Sequence, residues 1–337
     1  MERVKLRFAD LEIEFVDREH ALKRVEEWAE KGVIDVKVVF GPEGCGKTAW
    51  LKQAAELLRE LGFDVIYIDP LRRDFLAYTD LKDFVKRLVE AASEALGIAQ
   101  LKLATLAMDF GGYALRAGKR SIAILVDDVF QAIGLDKAAM YVKGLLNLIE
   151  HPPRSYERIV VIATTSEGIS RREIGRHRWA ELLPMWNMPK EGFKQLYEKI
   201  PGDRPCFEYV WKATGGNPKL LAELYEREWS VDAMVNRIAR EKQLRTFVSS
   251  LSNSEKEILR RAIDDPDALM SREGLELLHK LVELNLVIHE MYDRDPQAWI
   301  DLPPPEKDLD LGIGRYVAWQ TPLHREAVRK ALEELRR

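Results

Sequence analysis

The 337-residue chain contains only two cysteines, Cys45 and Cys206. Two thiols cannot build a disulfide framework, and their spacing fits no zinc site, so both are expected to pack rather than react. The six histidines are scattered, with no metal-ligand spacing between any two. Long hydrophobic runs are also missing, and no apolar stretch approaches the ~20 residues of a membrane span. The opening segment, Met1 to Asp10, lacks the apolar core of a secretory signal. The expectation from these absences is a cytoplasmic protein without a membrane partner. There is no strong excess of charge: 52 Lys and Arg face 56 Asp and Glu, a net charge of −4. Such a balance exerts no global pull on nucleic acid. Charged residues still make up 32% of the chain, above the usual ~25%, a tilt shared with thermophile surfaces rich in ion pairs.

What the chain does have is a phosphate-binding motif. Val36-Lys37-Val38-Val39-Phe40 reads as an apolar strand and runs directly into Gly41-Pro42-Glu43-Gly44-Cys45-Gly46-Lys47-Thr48, the pattern G-x-x-x-x-G-K-T. Glycines let the loop wrap closely, so that backbone N–H groups from Gly41 through Ala49 face the phosphates of ATP or ADP. Lys47 is placed to reach the β- and γ-phosphates, and the Thr48 hydroxyl to ligate Mg²⁺. Trp50, Leu51, Ala54, Ala55, Leu57, Leu58 and Leu61 then recur at helical spacing up to Gly62, a residue suited to a helix C-cap. The helix points its positive N-terminal end at the same anion.

The second motif is acidic. Ser121 to Val126 is a continuous apolar run, as expected for a parallel strand buried on both faces, and it ends in Asp127 and Asp128. Asp127 is assigned to the Mg²⁺ shell opposite Thr48. Asp128 is left to orient or deprotonate the attacking water. No N-K-x-D string occurs anywhere, which argues against a GTPase. Ile159 to Ser166 reads as a third buried strand, expected to lie between the two motif strands. Its tip offers Thr164, Thr165 and Ser166 as polar groups near the γ-phosphate, with Thr165 carried forward as the candidate. Val65 to Asp69 is expected to be an outer strand, and Glu181 to Pro184 a short final one. Alternating strands and helices imply right-handed crossovers and a parallel sheet covered on both faces.

Phe15-Val16-Asp17-Arg18-Glu19 before the first helix, the strand ending Ala163-Thr164-Thr165-Ser166-Glu167-Gly168, and Thr214-Gly215-Gly216-Asn217-Pro218 together resemble motifs of archaeal STAND-type ATPases, a branch of the AAA+ superfamily. The resemblance covers about residues 10–230. It implies an ASCE-type P-loop core with a helical lid, and adenine contacts from Val16, Arg18 and Pro218. Two features depart from the pattern: Ser166 stands where related switches often carry Arg, and no sensor arginine follows Pro218. Arg171, Arg172, Arg176 and Arg178 cluster after the third strand, so an arginine finger and a solvated basic surface are both open readings.

After Pro189 the pattern becomes helical. Phe193, Leu196, Tyr197 and Ile200 form one apolar stripe, Phe207, Val210 and Trp211 a second, and Leu220, Leu221, Leu224 and Tyr225 a third. The expected organisation is an α/β P-loop core over residues 1–187, a lid over 188–235 and a winged helix over 246–337. In the last, Ser254 and Glu257 are expected to form a capping box, and Asp265-Pro266 to end that helix. Leu275, Leu278, Leu281 and Val282 mark the next helix, and Val287-Ile288-His289 and Tyr316-Val317-Ala318-Trp319 mark two strands. The segment from Asp293 to Gly314 would be the wing. Thr321-Pro322 opens a last helix with Ala327, Val328, Ala331 and Leu335 inside. Residues 231–337 hold 17 Lys and Arg against 20 Asp and Glu, a poor match to phosphate.

The functional expectation is an ATP-hydrolysing, Mg²⁺-dependent molecular switch in which ATP bridges core and lid and repositions the winged helix. The alternatives are an origin-recognition-like or mobile-element DNA-binding ATPase, and an interaction module that holds nucleotide with little turnover. The partners in view are a nucleotide, DNA or protein at the winged helix, and further copies of the chain in a nucleotide-dependent oligomer.

Overall fold

The computed structural model describes residues 1–166, 173–289, 291 and 293–334. Contacts divide the chain into two compact units. The first comprises Met1–Leu6, Arg18–Phe40 and Lys47–Pro184, and the second Arg7–Asp17, Gly41–Gly46 and Met185–Arg337.

A short N-terminal hairpin, β1 (Lys5–Phe8) and β2 (Leu11–Glu14), precedes the first helix, Glu19–Lys31. The first unit is then built on β3 (Val36–Phe40), β4 (Asp64–Asp69), β5 (Asp74–Tyr78), β6 (Ser121–Val126), β7 (Arg158–Thr165) and β8 (Ala180–Pro184). They form one sheet in the order β5-β4-β6-β7-β3-β8. Strand β7 runs parallel between the two motif strands, as expected, with Phe40 opposite Thr165 and Val126 opposite Ala163. All positions of β3 and β6 are buried, which explains why they lack the polar/apolar alternation of a one-sided sheet. The parallel strands bring the carboxyl ends of β3, β4, β6 and β7 to one edge of the sheet, the usual place for a ligand in this architecture.

One expectation about the sheet is corrected. Strand β4 is not the edge, because β5 pairs with it antiparallel from Val65–Tyr78 to Asp69–Asp74. Residues 74–78 are half-buried throughout, so they carry no continuous apolar run to announce the strand.

In the second unit the three apolar stripes fall on the helices Lys190–Glu198, Phe207–Thr214 and Pro218–Glu226. The stretch that bridges onward is helical as well, Val231–Glu241 and Leu244–Ser250. Its Met234, Val235 and Ile238 share one apolar core with Phe193 and Leu221 and with Ala327, Val328 and Ala331 of the last helix, Pro322–Glu334. Leu335 lies outside the described residues. Helices Asn253–Asp264 and Leu275–Glu283 follow the predicted spacing, and β9 (Val287–His289) pairs antiparallel with β10 (Val317–Trp319). Trp319 is fully buried and donates its indole N–H to Ala262 O at 3.0 Å.

One expectation here also changes. The capping box is Ser252 with Glu255, two residues earlier than predicted: Glu255 N–H donates to Ser252 Oγ at 3.2 Å, and Ser252 N–H to Glu255 Oε2 at 2.8 Å. Ser252 is the last extended residue before the helix, a distinction that three equally polar neighbours conceal. The segment between β9 and β10 carries apolar anchors of its own. Trp299, Leu311 and Ile313 are buried in a small core with Trp186 and Ala318.

Glu255 also accepts from Lys280 Nζ at 2.8 Å. This ion pair, followed by the Ser252 backbone, holds its carboxyl down to about 2, against an ordinary value near 4.5. Glu255→Ala should destabilise the fold by about 1 kcal/mol at neutral pH, as expected for loss of a helix cap. A depressed carboxyl contributes fully above the unfolded value and loses that contribution as pH falls towards the folded one. The difference between wild type and variant in urea unfolding should therefore hold above pH 4.5 and narrow as pH falls below it.

Candidate functional site

The site grows from the carboxyl end of β6. Asp127 has no exposed surface, and an ionised carboxylate is costly to bury unless donors surround it. Tyr67, two residues before the end of β4, donates its hydroxyl to Asp127 Oδ2 at 3.0 Å. Burial and the Asp127 charge push the Tyr67 phenol far above its ordinary value, so it remains a donor. Thr164 donates its hydroxyl to Asp127 Oδ1. Thr164 Oγ1 in turn accepts from Asp128 N–H at 3.3 Å. One threonine on the inserted strand therefore fixes both acidic residues.

Asp128 adopts left-handed backbone angles, φ 43° and ψ 32°, a conformation that costs a non-glycine residue on the order of 1 kcal/mol and often marks a functional position. Burial first, and then the neighbouring Asp127 charge, push its carboxyl up to about 6, against the pull of Lys47. A carboxyl in that range is better matched to accepting a proton near neutral pH than an ordinary aspartate. Ser166 places its hydroxyl 3.4 Å from Asp128 Oδ1. Of the three hydroxyls predicted at the tip of β7, Thr164 and Ser166 thus reach the acidic pair directly, and Thr165 is buried beside them in the chain.

Lys47 is buried and opens the helix Lys47–Glu60, with Thr48 next to it. Asp69 and Arg72 were not singled out from the sequence. Asp69 ends β4 and is 1% exposed. It accepts from Arg72 N–H at 3.0 Å and from Arg72 Nη1 at 2.8 Å. Arg72 Nη1 also lies 3.5 Å from Thr48 Oγ1 and 4.0 Å from Asp127 Oδ2. The signal for Asp69 was an acidic residue closing an apolar strand, the same signal that marked Asp127. A Thr hydroxyl beside a buried carboxylate is the hard-oxygen donor set that Mg²⁺ accepts, completed by phosphate and water. Among the described residues no group of three His, Cys, Asp or Glu is placed to hold a metal ion.

The preceding stretch of the loop, Gly41–Gly46, belongs to the second unit. Glu43 N–H donates to Gln320 Oε1 at 3.1 Å, and Asn217 Nδ2 donates to Glu43 O at 2.9 Å. Lys219 N–H donates to Gly44 O at 3.3 Å, and Lys219 Nζ pairs with Glu43 Oε1 at 2.6 Å. Asn187 Nδ2 donates to Gln320 O, and Asn217 Nδ2 to Asn187 Oδ1, both at 2.9 Å. Asn187, Asn217 and Gln320 are all buried. Gly44 has φ +77°, and a Cβ there would lie 2.5 Å from Lys219 Cβ. Pro42 is buried and the Cys45 thiol lies 3.8 Å from Met185 O, in accord with a packing role, whereas Cys206 just before the helix Phe207–Thr214 is exposed and does not pack as expected.

The residues assigned to adenine by resemblance are placed as follows. Val16 packs against the apolar core of the second unit. Arg18 is 2% exposed, and it and Asp17 both have left-handed φ, 64° and 62°. Pro218 is the first residue of its helix, capped by Asn217 accepting from Leu220 N–H at 3.1 Å. In the basic cluster, Arg176 is exposed and pairs with Glu173 at 2.8 Å, and Arg178 is exposed. Arg171 and Arg172 lie outside the described residues.

Comparison with known proteins completes the description. The ADP form of the Aeropyrum pernix ORC2 protein is similar at 15% identity, over 98% of this chain and 95% of that one, with a TM-score of 0.44. The Aeropyrum pernix ORC1 protein in complex with DNA is similar at 15% identity, over 95% and 93%, with a TM-score of 0.39. AMPPCP-bound DnaA from Aquifex aeolicus is similar at 16% identity, over 70% and 71%, with a TM-score of 0.38. No curated protein matches the sequence. No helix among the described residues is long and apolar enough to cross a membrane. The family of ATPase domains predominantly from Archaea matches residues 15–224, a span that holds the phosphate loop, the acidic pair and its hydroxyl partners, and the chain belongs to that family of P-loop ATPases.

Proposed function

We propose that the chain is a nucleotide-driven switch of the STAND type within the AAA+ ATPases, in which ATP binding and hydrolysis reposition the C-terminal segment. The observation that carries this reading is how the phosphate loop is held: Glu43 and Gly44 are bonded to Asn217, Lys219 and Gln320, residues far along the chain from the loop. A loop that adapts to phosphate therefore pulls on amides that belong to the C-terminal part of the chain. Population of two arrangements then follows from the difference in their affinity for ATP and ADP.

In the chemical step Lys47 binds the β- and γ-phosphates, and backbone N–H groups of the loop orient them. Asp127 is fixed in direction by the hydroxyls of Tyr67 and Thr164. Asp128 orients the water and accepts its proton, and the hydroxyls on β7, Thr165 included, stand beside the γ-phosphate. Bound at Thr48 and Asp127, Mg²⁺ supplies neutralisation of charge on the phosphate oxygens. Val16, Arg18 and Pro218 serve the adenine.

Helices Asn253–Asp264 and Leu275–Glu283 with β9 and β10 are read as a winged helix that meets a protein surface, on this chain or on a neighbouring copy. Several of its cations are already engaged. Lys280 pairs with Glu255 and Glu276 at 2.8 and 3.3 Å, Lys307 with Asp265 at 2.7 Å, and Arg294 donates to the carbonyls of Pro305, Glu306 and Gly314. The engaged cations are less available to release counterions from DNA.

Three outcomes are expected. Lys47→Ala should weaken ATP by about 2 kcal/mol, the usual effect of removing a charge-assisted contact; unchanged affinity in calorimetric titration would refute the phosphate-loop assignment. Asp128→Asn should keep ATP affinity and lose roughly 10²–10⁴-fold in turnover, read as phosphate release; full turnover would remove Asp128 from the mechanism. The full chain should bind generic duplex DNA more weakly than the ~10⁻⁴–10⁻⁶ M of common non-specific binders at physiological salt. Micromolar fluorescence anisotropy binding with a steep salt slope would instead promote the DNA-binding ATPase reading.

A further inference from the structure

Arg72 stands where the catalytic metal is expected, and no motif assigns it a role. Its Nη1 is 3.5 Å from Thr48 Oγ1 and 4.0 Å from Asp127 Oδ2, the two groups read above as the metal corner. Asp69 secures it there. The Asp69 carboxylate takes Arg72 N–H on one oxygen and Nη1 on the other, at 3.0 and 2.8 Å. Asp69 itself is 1% exposed, whereas the Arg72 side chain is 62% exposed. The anchor is therefore buried, while the guanidinium that it holds borders solvent, so an outward turn has this ion pair to break.

The corner gathers two buried carboxylates, Asp69 and Asp127, and one side-chain cation that faces both. Mg²⁺ ligates oxygen at about 2.0–2.1 Å and keeps several waters in an octahedral shell. An ion held by Thr48 and Asp127 would share this corner with Arg72 Nη1, which lies 3.5 Å from Thr48 Oγ1 and 4.0 Å from Asp127 Oδ2. It would also carry two positive charges into the neighbourhood of a third. Arg72 approaches the same hydroxyl oxygen that would hold the metal. Guanidinium and hydrated dication are thus alternatives at one place, each satisfying the same carboxylates.

We propose that Arg72 is the built-in competitor of the divalent cation at the Thr48–Asp127 corner, and that the Asp69–Arg72 pair sets how strongly nucleotide binding depends on Mg²⁺. The inference rests on the reading of Thr48 and Asp127 as the metal corner. With Arg72 inward, its charge faces the phosphates and supports nucleotide without metal. With Mg²⁺ bound, Arg72 turns out towards solvent, and the swap lowers the net gain that the metal brings. Arg72 is a positioning residue in this scheme, since it acts through the metal site rather than on the reacting atoms.

The test is fluorescent-ADP binding to the full-length chain in EDTA and across a Mg²⁺ series, for wild type, Arg72→Gln, Arg72→Lys and Thr48→Ala. Arg72→Gln should bind ADP several-fold more weakly in EDTA, yet reach half of the Mg²⁺-dependent gain at roughly tenfold lower Mg²⁺, the change expected for removing one nearby charge of like sign. Arg72→Lys keeps the charge and should fall between. Weakening of ADP by the same factor with and without Mg²⁺ would identify Arg72 as a phosphate ligand and overturn the proposal, as would an unmoved Mg²⁺ midpoint. If Thr48→Ala leaves the Mg²⁺ response intact, the metal corner itself is misplaced, an outcome that the Arg72 variants alone cannot produce.

Discussion

A carboxylate with no exposed surface has to be answered by donors, and the first unit is arranged around that demand at Asp127. Leaving such a group unpartnered costs several kcal/mol. Tyr67 on β4 and Thr164 on β7 meet it from the two strands that flank β6. The strand order is therefore also a hydrogen-bond order, because only neighbours of β6 can reach its last residue from both sides. The parallel sheet sets the position, the hydroxyls set the direction, and Asp128 inherits its geometry through the contact of its backbone with Thr164.

Electrostatics then separates two adjacent acids into two roles. Asp127 is surrounded by donors suited to an ionised group. Asp128 sits next to that charge in a buried environment and has its carboxyl pushed up to about 6. A buried carboxyl raised beside a charged neighbour is suited to taking up a proton, a different task from holding a metal. The same logic extends to Asp69, whose burial raises its carboxyl and whose bonds to Arg72 work in the opposite direction.

Much of this was legible in the sequence because it is local. The loop motif, the apolar runs of β3, β6 and β7, and the helical stripes after Pro189 each express one element's own periodicity. The insertion of β7 between the motif strands followed from the class of ATPase. What escaped was set by tertiary pairing. Strand β5 is half-exposed and defined by its partner β4. Asp69 and Arg72 gain meaning only because β4 adjoins β6. Gln320 lies far along the chain from the Glu43 whose N–H it accepts, and no spacing rule links them. The capping box was misplaced by two residues because Ser252 and Ser254 are chemically equal until the backbone chooses which one stays extended.

Gly41 shows how such pairing changes what a substitution means. A Cβ there would lie 1.9 Å from Met185 O, so the first glycine of the motif is required by the main chain packed against it, whether or not a phosphate is present. A side chain at that position displaces backbone, and displaced backbone is felt as misfolding before it is felt as lost affinity. Variants of this glycine made to abolish nucleotide binding would in this protein confound two defects. A phenotype traced to Gly41 would report on architecture as much as on the ligand, because the neighbouring carbonyl leaves no room for a side chain.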